Sequence, residues 1–101
     1  MLSIVEKQEL TKQLVASLRA ENDIRKVVIF GSFLSSDHPN DMDVAVFQES
    51  AESYLKLAMK YRKLTRAVSK KIQLDIFPVR LDASNTAILS EIEHGEVVYE
   101  K

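Results

Sequence analysis

The sequence predicts a small α+β chain, an α/β sandwich with a small mixed central sheet flanked by helices in the order α-β-β-α-β-α-β. Three observations predict it. Short runs rich in β-branched and aromatic residues at Lys26–Phe30, Met42–Phe47 and Gln73–Phe77 alternate with segments whose apolar residues recur at helical spacing. The chain holds only two Gly and two Pro, so no linker or low-complexity stretch divides it. A length of 101 residues suffices for one hydrophobic core, so residues 1–101 are read as a single domain.

The elements follow in order. Ser3-Ile4-Val5-Glu6 reads as a capping box that opens a helix. Leu10, Leu14 and Leu18 then share one face, with Val15 beside them, and Asn22-Asp23 end the element. Lys26–Phe30 reads as a strand buried on both faces, broken by Gly31, after which Ser32 can cap a short helical turn. Asp37-His38-Pro39-Asn40 is turn chemistry, and Met42–Phe47 is the second strand. Ser50 is read as the cap of a long helix to about Ser69, with Tyr54, Leu57, Tyr61, Leu64 and Val68 as its apolar stripe. Gln73–Phe77 is the third strand, limited by Pro78. Ser84 is read as the cap of a last helix carrying Ile88, Leu89 and Ile92, with Gly95 as a left-handed terminator and Val97–Tyr99 as a short final strand.

Composition sets broad limits. The chain is 46% hydrophobic and 29% charged, ordinary for a globular protein, and its net charge of −1 gives no global attraction to nucleic acid. With no cysteine, disulfides and thiolate metal sites are excluded, which fits a reducing compartment. The N-terminal segment lacks a basic stretch followed by an apolar run, and no apolar stretch approaches the ~20 residues of a membrane span. The expectation is a soluble, cytoplasmic protein.

The chemistry lies in three aspartates on the strands. Asp41 and Asp43 open the second strand, and Asp75 sits inside the third between Leu74 and Ile76. Carboxylates within apolar strands are costly to bury uncompensated. At i and i+2, Asp41 and Asp43 point to one face with Cα atoms roughly 6–7 Å apart. Both can reach one or two divalent cations, Mg²⁺ being a hard ion that substrate phosphates commonly complete. The plain alternative is that these are edge-of-sheet aspartates facing solvent. It suits Asp41, which follows a turn, better than Asp43 or Asp75.

Gly31-Ser32 directly after a strand, then Asp41-x-Asp43, then a strand Asp75, resembles the minimal nucleotidyltransferase family of the DNA polymerase β-like nucleotidyltransferase superfamily. The resemblance covers most of the chain, from the first helix to Gly95–Tyr99. It implies the nucleotidyltransferase fold and a transfer of a nucleoside monophosphate, AMP from ATP, to a hydroxyl. In such a site two metal ions, Mg²⁺ or Mn²⁺, lie roughly 3.5–4 Å apart. Asp41 and Asp43 would bind them. Asp75 would hold the catalytic metal and help deprotonate the attacking hydroxyl, and Gly31 and Ser32 would contact the triphosphate. It also implies a HEPN-domain partner and an antitoxin role in a toxin–antitoxin pair. Separately, a chain of one sheet and few helices is expected to leave apolar surface for a second chain to cover, as a hetero-complex or, when the partner is absent, a homodimer. Many members carry Gly-Ser-x-Ala-Arg-Gly where this chain has Gly31-Ser32-Phe33-Leu34-Ser35-Ser36. Ser35 and Ser36 therefore leave the loop without its basic residue. This bears on turnover and does not remove the metal site.

Between Lys56 and Lys71 lie seven of the chain's 14 basic residues and no acid. They read either as a solvated helix face or as a surface for an acidic partner, RNA or nucleotide phosphates. His38 and His94 read as a turn residue and a helix C-terminal residue rather than metal ligands. Tyr54 and Tyr61 read as core or interface packing. Three functional readings remain: a metal-dependent nucleotidyltransferase, a catalytically weak binding module that masks a partner protein, and a nucleic-acid-contacting domain built on the basic helix.

Overall fold

Apolar side chains alternating along each strand need cover on both faces, and helices supply it. A computed structural model describes residues 2–81 and 86–101. These residues form, in order, α1 (Ile4–Leu18), β1 (Ile24–Phe30), α2 (Ser32–Ser35), β2 (Asp41–Gln48), α3 (Tyr54–Leu64), α4 (Arg66–Ser69), β3 (Gln73–Arg80), α5 (Thr86–Glu93) and β4 (Glu96–Glu100). The strands make one mixed sheet in the order β3-β2-β1-β4. Strand β1 pairs antiparallel with β2 and β4, whereas β2 and β3 run parallel, joined by the α3–α4 crossover. The α+β architecture expected from the sequence is the one observed.

Even-numbered residues of β2 and β3 face one layer. Met42, Val44, Val46 and Ile76 pack with Leu10, Leu14 and Leu18 of α1 and with Leu57, Tyr61 and Val68 of α3–α4. Odd-numbered residues face the other, where Ala45, Phe47 and Val79 pack with Val28, Phe30 and Ile92. The two faces thus carry different helices, and the parity of a strand residue decides which it meets.

Several local expectations hold. Ser3 and Glu6 form the reciprocal capping box, with the Glu6 amide donating to Ser3 Oγ at 3.1 Å and the Ser3 amide donating to Glu6 Oε1 at 3.0 Å. Others are corrected. The long helix starts at Ser53, whose hydroxyl accepts from the Lys56 amide, while Ser50 Oγ accepts from the Glu52 amide in the preceding turn. It also divides at buried Thr65, whose hydroxyl donates to the Tyr61 carbonyl at 2.7 Å, a back-bond that bends helices. Tyr61 is core, and burial, then the nearby Asp23, pushes its hydroxyl up to about 12. Tyr54 is exposed at the helix start. At α2 it is Gly31 that occupies the cap position, and Ser32 is the first helical residue. Strand β3 runs through Pro78 to Arg80, because β3 is an outer strand and an edge needs no ladder donor on its free side.

Ser84 lies outside the described residues. Gly95 does end α5, but Gly31 is the one glycine with positive φ among the described residues, so left-handed termination is not its role. A Cβ at Gly95 would meet the Ile29 carbonyl oxygen at 2.6 Å, Val28 Cγ1 at 2.8 Å and Phe30 Cβ at 2.9 Å. Glycine lets the α5–β4 turn lie directly on β1. Gly95→Ala is accordingly expected to destabilise the fold by about 1–3 kcal/mol, as overpacking does, measured as a lowered urea midpoint. An unchanged midpoint would refute the close-approach reading.

Candidate functional site

The parallel register sets Asp43 of β2 beside Asp75 of β3, and Asp41 beside Gln73. All three aspartates are odd-numbered and lie on the α5 side of the sheet. Their half-buried carboxylates converge, with one oxygen from each within 4.8 Å of the others. On β1, Phe30 pairs with Asp43, and its ring lies 5.8 Å from that of Phe77 on the same face. Apolar strand positions thus lead directly into the acidic cluster.

Gly31 follows β1 with φ +80° and ψ −154°, a conformation essentially reserved for glycine. A Cβ there would stand 2.6 Å from Asp43 Oδ2. The close approach that glycine permits is therefore, first of all, to the Asp43 carboxylate. Ser32 Oγ lies 3.5 Å from Asp41 Oδ1, at the outer limit of hydrogen bonding, so its hydroxyl remains able to turn to another acceptor. The five residues singled out from the sequence, Gly31, Ser32, Asp41, Asp43 and Asp75, are brought together.

Electrostatics mark the same place. The Asp43 carboxyl is pushed up to about 6 from 3.8 by burial first, then by the charges of Asp41 and Asp75, a hydrogen bond with Asp75, and Glu91. Three hard oxygen donors with an uncompensated negative charge suit a divalent cation of the Mg²⁺ or Mn²⁺ type. Glu91, on α5, is a contributor that sequence reading missed. It sits on a helix rather than a strand, and only the fold brings its charge toward Asp43.

This shift has a consequence for stability. The folded chain holds a proton on Asp43 more tightly than the unfolded chain does. Asp43 therefore subtracts stability above about pH 6 and ceases to do so below pH 3.8. Without metal, Asp43→Asn is expected to raise stability by about 1 kcal/mol at neutral pH after allowance for solvent screening. The gain should vanish toward pH 4. Thermal melts of the chelator-treated protein across that range check it, and a gain independent of pH would refute it.

The remaining sequence candidates lie elsewhere. The His38 amide donates to Ser36 Oγ in a turn, and His94 Nδ1 lies 2.9 Å from the Ser90 carbonyl at the end of α5. Neither histidine belongs to a metal-capable cluster among the described residues. Ser35 and Ser36 offer no cation, but Lys7 of α1 reaches the loop and donates to the Ser36 carbonyl at 2.6 Å. The apolar side of the basic α3–α4 segment packs on the face of the sheet opposite the aspartates. Among the described residues no helix is long and apolar enough to cross a membrane.

Comparison with known proteins bears on the family and the fold. Residues 12–101 match the family model described as polymerase beta, nucleotidyltransferase. No curated protein matches the sequence. Among solved structures, a tri-AMPylated Shewanella oneidensis HEPN toxin in complex with MNT antitoxin matches with a TM-score of 0.63 and 18% identity, covering 94% of this chain and 73% of that one. The toxin–antitoxin MntA-HepT matches with a TM-score of 0.62 and 16% identity, over 93% of this chain and 73% of that one. A toxin–antitoxin with AMP-PNP matches with a TM-score of 0.63 and 19% identity, over 90% and 73%. At these identities the likeness is one of fold.

Proposed function

The chain belongs to the polymerase beta nucleotidyltransferase family, and on that premise we propose that it transfers AMP from ATP to a hydroxyl acceptor as the antitoxin partner of a HEPN-type toxin. The observation that carries this reading is the convergence of Asp41, Asp43 and Asp75 beside Gly31-Ser32. The fold shared with an MNT antitoxin beside an AMPylated HEPN toxin, and with a toxin–antitoxin holding AMP-PNP, supports the choice of nucleotide and partner.

In this reading Asp41 and Asp43 hold Mg²⁺ or Mn²⁺ together with Asp75. The bound cation supplies charge neutralisation for the triphosphate and lowers the pKa of the attacking hydroxyl. Gly31 leaves the Asp43 carboxylate room against the backbone. The Ser32 hydroxyl turns from Asp41 to donate to a phosphate oxygen. Asp75, on the neighbouring strand, faces the incoming acceptor and takes part in removing its proton.

The Ser35-Ser36 sequence favours one other reading, a module that masks its partner with little turnover. Incubation with labelled ATP, Mg²⁺ and a HEPN-type protein encoded beside it, followed by intact-mass measurement, separates the two. Mass increments of AMP on the partner support transfer. A complex that forms with the partner unmodified supports masking.

A further inference from the structure

One groove is bounded by described residues, none of them an aspartate of the cluster. It encloses about 830 Å³ between α3–α4 and the start of β3. Arg62, Lys63, Arg66, Lys70 and Lys71 line it, and Ile72 and Leu74 contribute to its floor. We propose that this groove is a docking site for an acidic, amphipathic segment of a partner protein, separate from the site of nucleotide transfer.

Charge is the first argument. Seven basic residues and no acid lie between Lys56 and Lys71, whereas the rest of the chain carries seven basic and fifteen acidic residues. Two of the seven are engaged within the chain: Lys60 pairs with Glu21 at 2.6 Å, and Lys71 donates to Gln13 Oε1 at 3.1 Å. Among the described residues, Arg62, Lys63, Arg66 and Lys70 have no carboxylate within 4.0 Å. A concave surface holding several like charges without internal partners attracts an anionic one and speeds its approach.

The second argument decides which kind of anion. Met59, 61% exposed, lines the groove, and Leu55, 67% exposed, lies one turn before it on the same face of α3. An apolar strip running into a basic groove is the anatomy of a protein interface, with an anchor beside a charged rim. No aromatic side chain lines the groove, so it offers nucleic-acid bases no stacking platform. The fitting occupant is a helix or turn with glutamates or aspartates on one side and leucine-like side chains on the other.

The third argument is position. The groove belongs to the α1/α3/α4 side of the sheet and the aspartates to the α5 side. A segment held on that side approaches the aspartates only at Gln73, the groove residue that pairs with Asp41.

The test is fluorescence anisotropy on the full chain with three labelled probes: an amphipathic Leu/Glu helical peptide, polyglutamate and single-stranded RNA, each at low and physiological salt. The amphipathic peptide should bind tightest and weaken with salt. Arg62→Glu with Arg66→Glu should weaken it by about tenfold or more, and the neutral pair Arg66→Gln with Lys70→Gln should do so less. Met59→Ser should weaken it several-fold without altering the salt dependence. Circular dichroism and calorimetry with Mg²⁺–ATP, run on every variant, should match wild type. RNA binding tighter than the peptide and indifferent to Met59→Ser would overturn the proposal in favour of a nucleic-acid groove. Polyglutamate binding as tightly as the peptide would overturn the apolar anchor. Self-association in light scattering that the charge reversal abolishes would make a second copy the occupant instead. A wild-type chain that binds the peptide but not Mg²⁺–ATP leaves this groove standing and removes the transfer reading alone.

Discussion

Asp43→Asn is expected to keep the fold and to lower nucleotide transfer by roughly 10²–10⁴-fold. Asp43 is the hub of the acidic cluster. Asp41 shares its face two residues earlier, Asp75 is its register partner across the parallel ladder, and Gly31 lies against its Oδ2. Asn preserves the shape and can still face Asp75, so packing over Phe30 should persist. It removes one charge from the donor set and with it much of the affinity for a divalent cation. The check is single-turnover transfer at saturating Mg²⁺ and ATP, with a melt to establish that the chain is folded. Because the same substitution is expected to stabilise the metal-free protein at neutral pH, loss of activity and gain of stability should appear together. A variant as active as wild type would sink the mechanism.

The second large effect is expected at Gly31→Ala. Two costs coincide there. The backbone at φ +80° and ψ −154° is strained for any residue with a Cβ, by about 1–3 kcal/mol. That Cβ would also stand 2.6 Å from Asp43 Oδ2, which must then move. Both stability and metal–nucleotide binding should fall, the first by denaturant titration and the second by calorimetry with Mg²⁺ and a nonhydrolysable ATP analogue. A double-mutant cycle distinguishes the causes. In an Asp43→Ala background the collision is gone and only the backbone cost remains, so the penalty on stability should shrink by about 0.5–1 kcal/mol. An equal penalty in both backgrounds would show that the carboxylate contact is irrelevant.

Much of this fold is written in local patterns. The apolar runs of β1, β2 and β3 announce strands, and the Leu10–Leu14–Leu18 spacing announces the buried stripe of α1. The placing of Asp41 and Asp43 on one face follows from strand periodicity alone. What escaped is nonlocal or degenerate. Ser50 and Ser53 are both plausible caps, and only the geometry of the chain leaving β2 selects the second. Pro78 is admissible because β3 is an outer strand, a fact of strand order that no local window contains. Gly95 looks like a helix terminator from its neighbours, yet what excludes a side chain there is β1, more than sixty residues earlier in the chain. Glu91 bears on Asp43 for the same kind of reason.

Pro78 has one more effect, on how copies of the chain meet in a crowded solution. A row of bare amide and carbonyl groups along β3 would invite another strand to zip on. With no hydrogen to offer, the proline nitrogen removes one donor from this edge strand. The opposite border, β4, begins with Glu96 and ends with Glu100, charges that discourage strand stacking. Growth of the sheet from chain to chain is thereby discouraged at both borders. Assembly is left to side-chain surfaces, where it can be selective and reversible.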